Sequence, residues 1–540
     1  MKNLKTQILL FLGLVVLFTG CSEEFLVEKP KADVFAENLF QSRDGFQTAL
    51  NSVYSYARQE RAQRSGSSFE TGIIWKAGTD VVWANYTYNQ LRAFDNYGTN
   101  LTPADGLLDS VFNWLYDVVN ASNTIITRSE LAGIDWQGGS EAQDLKNKNS
   151  IVAQARLMRA WAYRHLTGTW GDVPLSLEEV NATNFKTYWP LTPVATIQAQ
   201  MEKDLLFAEA NLPVDYKKGV ILSSAVAQHY LAELYLNMGG ADNYNKAEIM
   251  AEKAIANPNF KLITARFGAN INNPGVPFMD QFNEKNALPS AGNTETLWTF
   301  LDAEELTTPL PGKESLSMRR TYVNRYYDLT TDDAWAYTQY GGRGIGRASH
   351  TLYVEGLYEA QDDRYSQYAF AKSYLKAPGG VAVLTKVPTF ASWKINDSFW
   401  PSTKKWDSYP TLDPAASAQF NNMVYLRLAE TYLLAAEAEF RLNKLDEAKN
   451  HINTLRLRSK ATPITAAQVT VNYILDERAR ELVTEEHRRY TLNRFGLLVS
   501  RTKQYNKFSE ITDKNILYPL PQNFIDSNDG LTPQNPGWGN

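Results

Sequence analysis

Two stretches of the chain set aromatic rings among amides, carboxylates and hydroxyls. "WKAGTDVVWANYTYNQLRAFDNYG" carries Trp75, Trp83, Tyr86, Tyr88 and Tyr97, and "DDAWAYTQYGGRG" carries Trp335, Tyr337, Tyr340 and Arg343. A pyranose has a face of C–H groups that stacks on a ring, while its hydroxyls need Asn, Asp or Arg partners. Rings displayed in polar loops are unfavourable on their own and point to a binding face. This reading makes Trp83 and Trp335 stacking platforms on one exposed face, with Tyr86, Tyr88, Tyr337, Tyr340 and Arg343 around them. It requires the fold to bring two distant segments together. The competing reading is that these rings pack beneath their loops.

Catalytic chemistry needs a reacting constellation, and none is legible. The five histidines, His165, His229, His350, His451 and His487, form no His-Glu-x-x-His pair, so no metal site is expected. There is no Gly-x-Ser-x-Gly elbow. Ser500-Arg501-Thr502-Lys503 fits Ser-x-x-Lys, a pattern short enough to arise by chance. Gly341-Gly342-Arg343-Gly344-Ile345-Gly346 lacks phosphate-loop spacing and reads as a tight turn needing positive φ. Glu477, Glu481, Glu485 and Glu486 could serve as glycosidase carboxylates. They read better as ion pairs on a partly exposed helix, because Asp476–Arg480 and Glu485–Arg489 are four apart with the acid first. Asp362-Asp363-Arg364 reads as a structural pair. No catalytic residue and no cofactor is expected.

The chain's one cysteine, Cys21, follows a basic start (Lys2, Lys5), an apolar run from Ile8 to Phe18 and the small pair Thr19-Gly20. That order describes a secretory signal peptide, and its apolar run is too short for a span of about 20 residues. Leu17-Phe18-Thr19-Gly20-Cys21 resembles a bacterial lipoprotein box, which implies cleavage before Cys21 and acylation of its thiol. Several acyl chains anchor a protein stably where one does not, at about 0.8 kcal/mol per buried methylene. Ser22-Glu23-Glu24 resembles the acidic tag of surface-exposed lipoproteins.

The formal charge of −5 and the lack of any lysine/arginine block argue against nucleic acid as a partner. The unusual item is the aromatic content, 13 Trp, 29 Tyr and 24 Phe, more than the core helices alone account for.

The elements that must position these residues are mainly helices. Phe46, Leu50, Val53, Tyr54 and Ala57 form one stripe; Val111, Leu115, Val118, Val119, Ser122 and Ile126 form another, with Asp109 as the expected N-cap. Residues 225–260 and 423–459 each read as a helix pair, the first broken at Gly239-Gly240, the second at Asn443-Lys444. Alanines at 247, 251, 254 and 435, 436, 448 resemble tetratricopeptide units without a tandem array. Between the pairs, Pro, Gly, Asn and aromatic residues dominate, with strand-like runs "ETLWTFL" and "VAVLTKV". The expected fold is mostly α: tetratricopeptide-like helix pairs form a scaffold, and a loop-rich region with short strands carries the binding face. The expected organisation is a signal peptide over 1–20, a tether over 21–31 and a single domain over 32–540. That domain divides into an N-terminal helical part (32–259), a loop-rich ligand face (260–419) and a C-terminal helical part and tail (420–540).

Five segments, in order, resemble the SusD/RagB family of outer-membrane glycan-binding lipoproteins: "RLMRAWAYRHLTGTWGDVPL", "YGGRGIGRASHTLYVEGLYEAQDDRY", "YLRLAETYLLAAEAEFRL", "ILDERARELVTEEHRRYTLNRFG" and "ILYPLPQNFIDSNDGLTPQNPGW". Residues 60–105 and 300–345 match nothing specific, and in this family such regions vary with the ligand. The resemblance implies a lipid-anchored, cell-surface protein of the outer membrane. It would capture oligosaccharide and deliver it to a TonB-dependent, SusC-like barrel without catalysis. Some relatives take peptides instead, and an α/α glycoside hydrolase is the alternative of a different class.

Overall fold

The computed structural model describes residues 39–539, apart from 65–66, 68, 86–88, 99, 216–221, 284, 302–315, 386–398, 408–414, 416–420 and 530–531. Cys21, Tyr86 and Tyr88 lie outside the described residues, as do the expected signal peptide and tether.

Helices dominate. α1 (Arg43–Arg58) begins where the Ser42 hydroxyl accepts from Gly45 N, and it buries Phe46, Leu50, Val53 and Ala57 as the stripe requires. After α2 (Asn89–Asn96) comes α3 (Gly106–Arg128), which buries Val111, Leu115, Val118, Val119 and Ser122. Its N-cap is Asp105 rather than Asp109: the Asp105 carboxylate accepts from Leu107 N and Leu108 N, so Asp109 falls inside the first turn, where its charge still favours the positive end of the helix. α4 (Glu141–Trp170) is buried through most of its second half, consistent with neighbours on several sides. Gly171, at φ +76, turns the chain out of α4.

α5 (Val194–Asn211), α6 (Ser224–Met238) and α7 (Ala241–Ile255) continue the array. Consecutive helices pack side by side from α3 to α7. The two expected helix pairs are present: α6 with α7, and α9 (Leu428–Arg441) with α10 (Leu445–Arg458). They also join, because α7 packs on α9 across the whole intervening region. Buried Ala247, Ala251 and Ala254 on α7 and Ala435, Ala436 and Ala438 on α9 are small enough for close axial approach. α11 (Val471–Leu482) packs on α9, and α12 (Arg488–Arg494) and α13 (Leu498–Tyr505) follow.

Short strands pin the loop-rich region to this scaffold. β1 (Val82–Ala84) pairs antiparallel with β3 (Ala348–His350), and β2 (Thr296–Phe300) with β6 (Met423–Arg427), which runs directly into α9. β4 (Ser373–Leu375) and β5 (Ala382–Leu384) make a hairpin. "ETLWTFL" and "VAVLTKV" are therefore strand-bearing, as expected.

Candidate functional site

β1 and β3 decide how the two aromatic segments meet. Trp83 stands opposite Ser349; Asn85 N donates to the Arg347 carbonyl at 2.8 Å, and Asn85 Nδ2 to the Gly346 carbonyl at 3.0 Å. The segment after Trp75 and the segment after Trp335 are thus sewn together, as the sugar-site reading requires.

The first segment, however, is not exposed. Trp83 retains 1% of its accessible surface. Its indole N–H donates to the His350 carbonyl at 3.0 Å, and its ring meets Trp400 edge-on and Phe508 at a tilt. Trp75 stacks on His165 at 4.2 Å and donates to Thr169, while Tyr97 donates to Gly78 O and accepts from Arg489. This corrects the expectation that Trp83 is an exposed platform. The polar neighbours that suggest exposure are themselves buried and paired. Asp80 receives Arg488 and Arg501, and Asp95 receives Gly78 N and Asn506. Those donors come mainly from α12 and the end of α13, more than 400 residues away.

The second segment does carry a surface. α8 (Asp333–Gln339) starts where the Asp332 carboxylate accepts from Trp335 N at 3.0 Å. Beneath it, Val323, Tyr326, Ala336, Tyr337, Ala371 and Tyr374 form a small core of their own, with Tyr327, Leu329, Trp335 and Tyr340 packed on it and only partly buried. Tyr326 stacks on Tyr374 at 5.3 Å; Tyr340 lies edge-on to Tyr326 and Trp335 and accepts from Leu375 N at 2.6 Å. The Arg343 guanidinium lies 5.6 Å and that of Arg325 5.8 Å from the centre of the Tyr327 ring. Asp328, Asp332 and Asp333 are exposed alongside. Gly341, Gly342 and Gly346 have φ of +76, +92 and +69, the tight turn expected of the glycine run. A Cβ on Gly341 would stand 2.3 Å from the Asp407 carbonyl oxygen, so the turn cannot accept a larger residue without moving.

The rim therefore presents two half-buried rings, Tyr327 and Trp335, with Arg343 beside them; Tyr337 is mostly buried and Tyr340 is held by its neighbours. Tyr327 and Arg325 were not singled out in the sequence, although "NRYYDL" carries the signal of paired rings flanked by Arg and Asp.

The Glu/Arg-rich helix is a buried electrostatic hub. Glu477 accepts from Arg364 at 2.7 Å, Arg480 at 2.8 Å and Arg456 at 3.0 Å. Glu481 pairs with Arg458, Arg427 and Arg364, and Glu485 with Arg427 and Lys405. Burial alone would raise the Glu481 carboxyl; Arg458, Arg427 and Arg364 outweigh it and hold the group well below the ordinary range. A carboxyl so held stays ionised and cannot deliver a proton as a general acid. Asp362 pairs with Arg364 at 2.8 Å. The expected partners and exposure of this helix need correction. Arg480 pairs with Glu477, Asp476 with Arg501, and Arg489 with Tyr97 and backbone carbonyls. Because α11 is covered on both sides, its charges turn inward to tertiary partners instead of lying along a wet face.

Two clusters have metal-ligand composition among the described residues: Glu60/His165/His487 and Glu252/Glu439/His451. In the first, Arg164 faces His487 Nδ1 at 3.0 Å and can only donate, so Nε2 carries the proton given to Glu60 at 2.8 Å and has no lone pair for a cation. In the second, opposite ring nitrogens of His451 face different carboxylates, which suits an imidazolium rather than a ligand. A cleft of about 240 Å³ opens between α4, α5 and α6, with none of the aromatic-rim residues in its lining. Its charged walls are mutually paired, Arg164 with Glu233 and Arg494 with Glu437.

Comparison with known families accounts for both ends of this arrangement. Residues 24–236 match the model described as "Starch-binding associating with outer membrane", and residues 354–538 match the SusD family model. The chain belongs to the SusD/RagB family. Among SusD-like relatives, protein P2 of Formosa agariphila is 24% identical, covering 98% of this chain and 99% of that one. The starch-binding protein SusD of Bacteroides thetaiotaomicron is 26% identical over 74% of each. The surface glycan-binding protein A of B. thetaiotaomicron, solved with laminarihexaose, superposes with a TM-score of 0.72 at 17% identity, covering 92% of this chain and 99% of that one. The last likeness shows the SusD-like fold. The aromatic rim at 325–343 falls between the two matched stretches, in the part of this SusD-like chain that neither family model describes.

Proposed function

We propose that this SusD-like chain is a cell-surface glycan-binding lipoprotein, anchored through Cys21, that captures oligosaccharides and passes them to a TonB-dependent SusC-like barrel. The observation that carries the reading is the rim of Tyr327, Trp335 and Arg343 standing on a family scaffold. Trp335 is the stacking platform, Tyr327 a second ring, and Arg343 the donor to ligand hydroxyls; Tyr337 and Tyr340 hold the rings in place. Trp83 supports the floor from within. Tyr86 and Tyr88 complete the proposed set of ligand contacts.

The starch-binding and laminarihexaose-bound relatives make neutral glucans the first probes. Peptide capture is the second reading, favoured by the charged rim of Arg325, Asp328, Asp332 and Asp333, which would suit peptide termini. Catalysis is not part of the reading, since the candidate carboxylates are saturated by arginines.

Titration calorimetry with laminarihexaose, maltohexaose and a mixture of tripeptides tests it. Heat with a glucan, and no shortened product after long incubation, supports capture. Binding of peptides alone moves the assignment to the second reading, and glucan cleavage overturns it.

A further inference from the structure

Two exposed aromatic side chains stand in one loop that connects to the point where the chain enters the fold. Phe185 retains 72% of its accessible surface and Tyr188 47%. Phe185 and Tyr188 sit in the loop between α4 and α5, and that loop is held at both ends. Asn181 N donates to Asn184 Oδ1 at 2.8 Å, and Asn184 Nδ2 to the Glu179 carbonyl at 2.7 Å. At the far end, Trp189 and Asn528 exchange two hydrogen bonds, and Asp529 N donates to the Thr187 carbonyl. A loop so fixed that still turns a phenylalanine outward displays it rather than burying it.

The same contacts reach the N-terminal entry. Arg128 grips Glu179 through Nε at 2.9 Å and a terminal nitrogen at 2.7 Å, and its guanidinium lies 5.0 Å from the centre of the Phe40 ring. The path Phe40–Arg128–Glu179–Asn184–Phe185 is continuous. The segment joining Cys21 to the fold ends at this corner, so a lipid on Cys21 would draw this corner toward the bilayer.

We propose that the loop 181–189 is a membrane-interface contact: Phe185 and Tyr188 enter the headgroup region when the chain is held by its N-terminus. Tyr188, a ring with a polar edge, favours that zone and Phe185 adds apolar area to it, and Lys186, beside Trp189, suits a phosphate-bearing surface. The inference rests on the lipid-anchor reading, so its test supplies the anchor chemically.

The processed chain with Cys21→Ser is joined at its N-terminus to a phosphatidylethanolamine in phosphatidylethanolamine/phosphatidylglycerol vesicles. An environment-sensitive fluorophore is placed at Ala182→Cys, and in a control at Ile249→Cys, which is exposed on α7. Quenching by brominated lipid should be at least twofold greater at 182 than at 249. It should fall to the control level when Phe185→Ser and Tyr188→Ser are added, with the melting temperature unchanged. Equal, solvent-like signals at both sites overturn the proposal. So does a label at 182 that becomes shielded only when native outer-membrane barrels are added, since the loop would then meet protein. Acylation of the wild type is read separately by palmitate labelling, so failure of the anchor reading is distinguishable from failure of this one.

Discussion

The indole N–H of Trp83 donates to the backbone carbonyl of His350 at 3.0 Å, across the pairing of β1 with β3. One side chain thereby ties the first aromatic segment to the strand that leads out of the aromatic rim. Trp83→Ala should remove that bond and leave a cavity against Trp400 and Phe508. The expected cost is about 3–5 kcal/mol of stability, read by chemical denaturation. A variant that melts like the wild type yet loses glycan would return Trp83 to the ligand surface.

Trp335 should behave oppositely. It is half-buried on the satellite core, so Trp335→Ala should leave the main transition nearly unchanged. It should weaken glycan binding about 5- to 150-fold, the equivalent of roughly 1–3 kcal/mol of lost stacking and covered area. Calorimetry beside a thermal melt separates the two effects. Undiminished affinity would remove Trp335 from the site.

The arginine–glutamate hub should be structural. Glu481→Gln leaves Arg427, Arg458 and Arg364 short of a buried counter-charge, and such losses cost about 3–5 kcal/mol. Glucan turnover that disappears with this variant while the fold survives would instead mark a catalytic carboxylate.

The same hub sets an acid limit. Burial would raise the Glu477 carboxyl, but Arg364, Arg480 and Arg456 bring it down to about 2 from an ordinary 4.5. The folded value lies below the unfolded one, so the stabilisation is complete above about 4.5 and is lost as pH falls toward about 2. Melting temperature should drop across that window. The drop should be smaller in Glu477→Gln, which has already lost the contribution.

His451 has the opposite sign. Burial lowers its pKa, but hydrogen bonding and charge from Glu439, with Glu252 adding to them, raise it above the ordinary 6.5. It bridges α7, α9 and α10, with Glu248 and Lys444 paired close by. Its contribution is present at and below pH 6.5 and fades as pH rises through the folded value. His451→Gln should flatten that alkaline decline in melting temperature. An identical slope in variant and wild type would show that the bridge does not matter to stability.

The proposed lipid anchor makes Cys21 the residue on which localisation depends. Palmitate labelling should mark the wild type and not Cys21→Ala, and the variant should leave the membrane fraction. Retention of the alanine variant with membranes would show another anchor.

Much of this was readable in one dimension. Helix stripes such as Phe46-Leu50-Val53-Ala57, the alanine spacing of the two helix pairs and the glycine turn at 341–346 are all local patterns. Periodicity and chain reversal need only near neighbours along the chain. Tertiary structure decided which aromatics face water. Trp83 and Trp335 sit in equally polar text, yet the polar neighbours of Trp83 are consumed by Arg488, Arg501 and Asn506, while those of Trp335 stay on the rim. The Arg/Glu helix makes the same point, since an i,i+4 pattern implies local pairs until buried partners from β6, α10 and the 359–364 turn compete for them. Local spacing specifies which groups can meet along one helix; only packing specifies which distant charge reaches a group first, and a desolvated carboxylate takes the partner that neutralises it most completely.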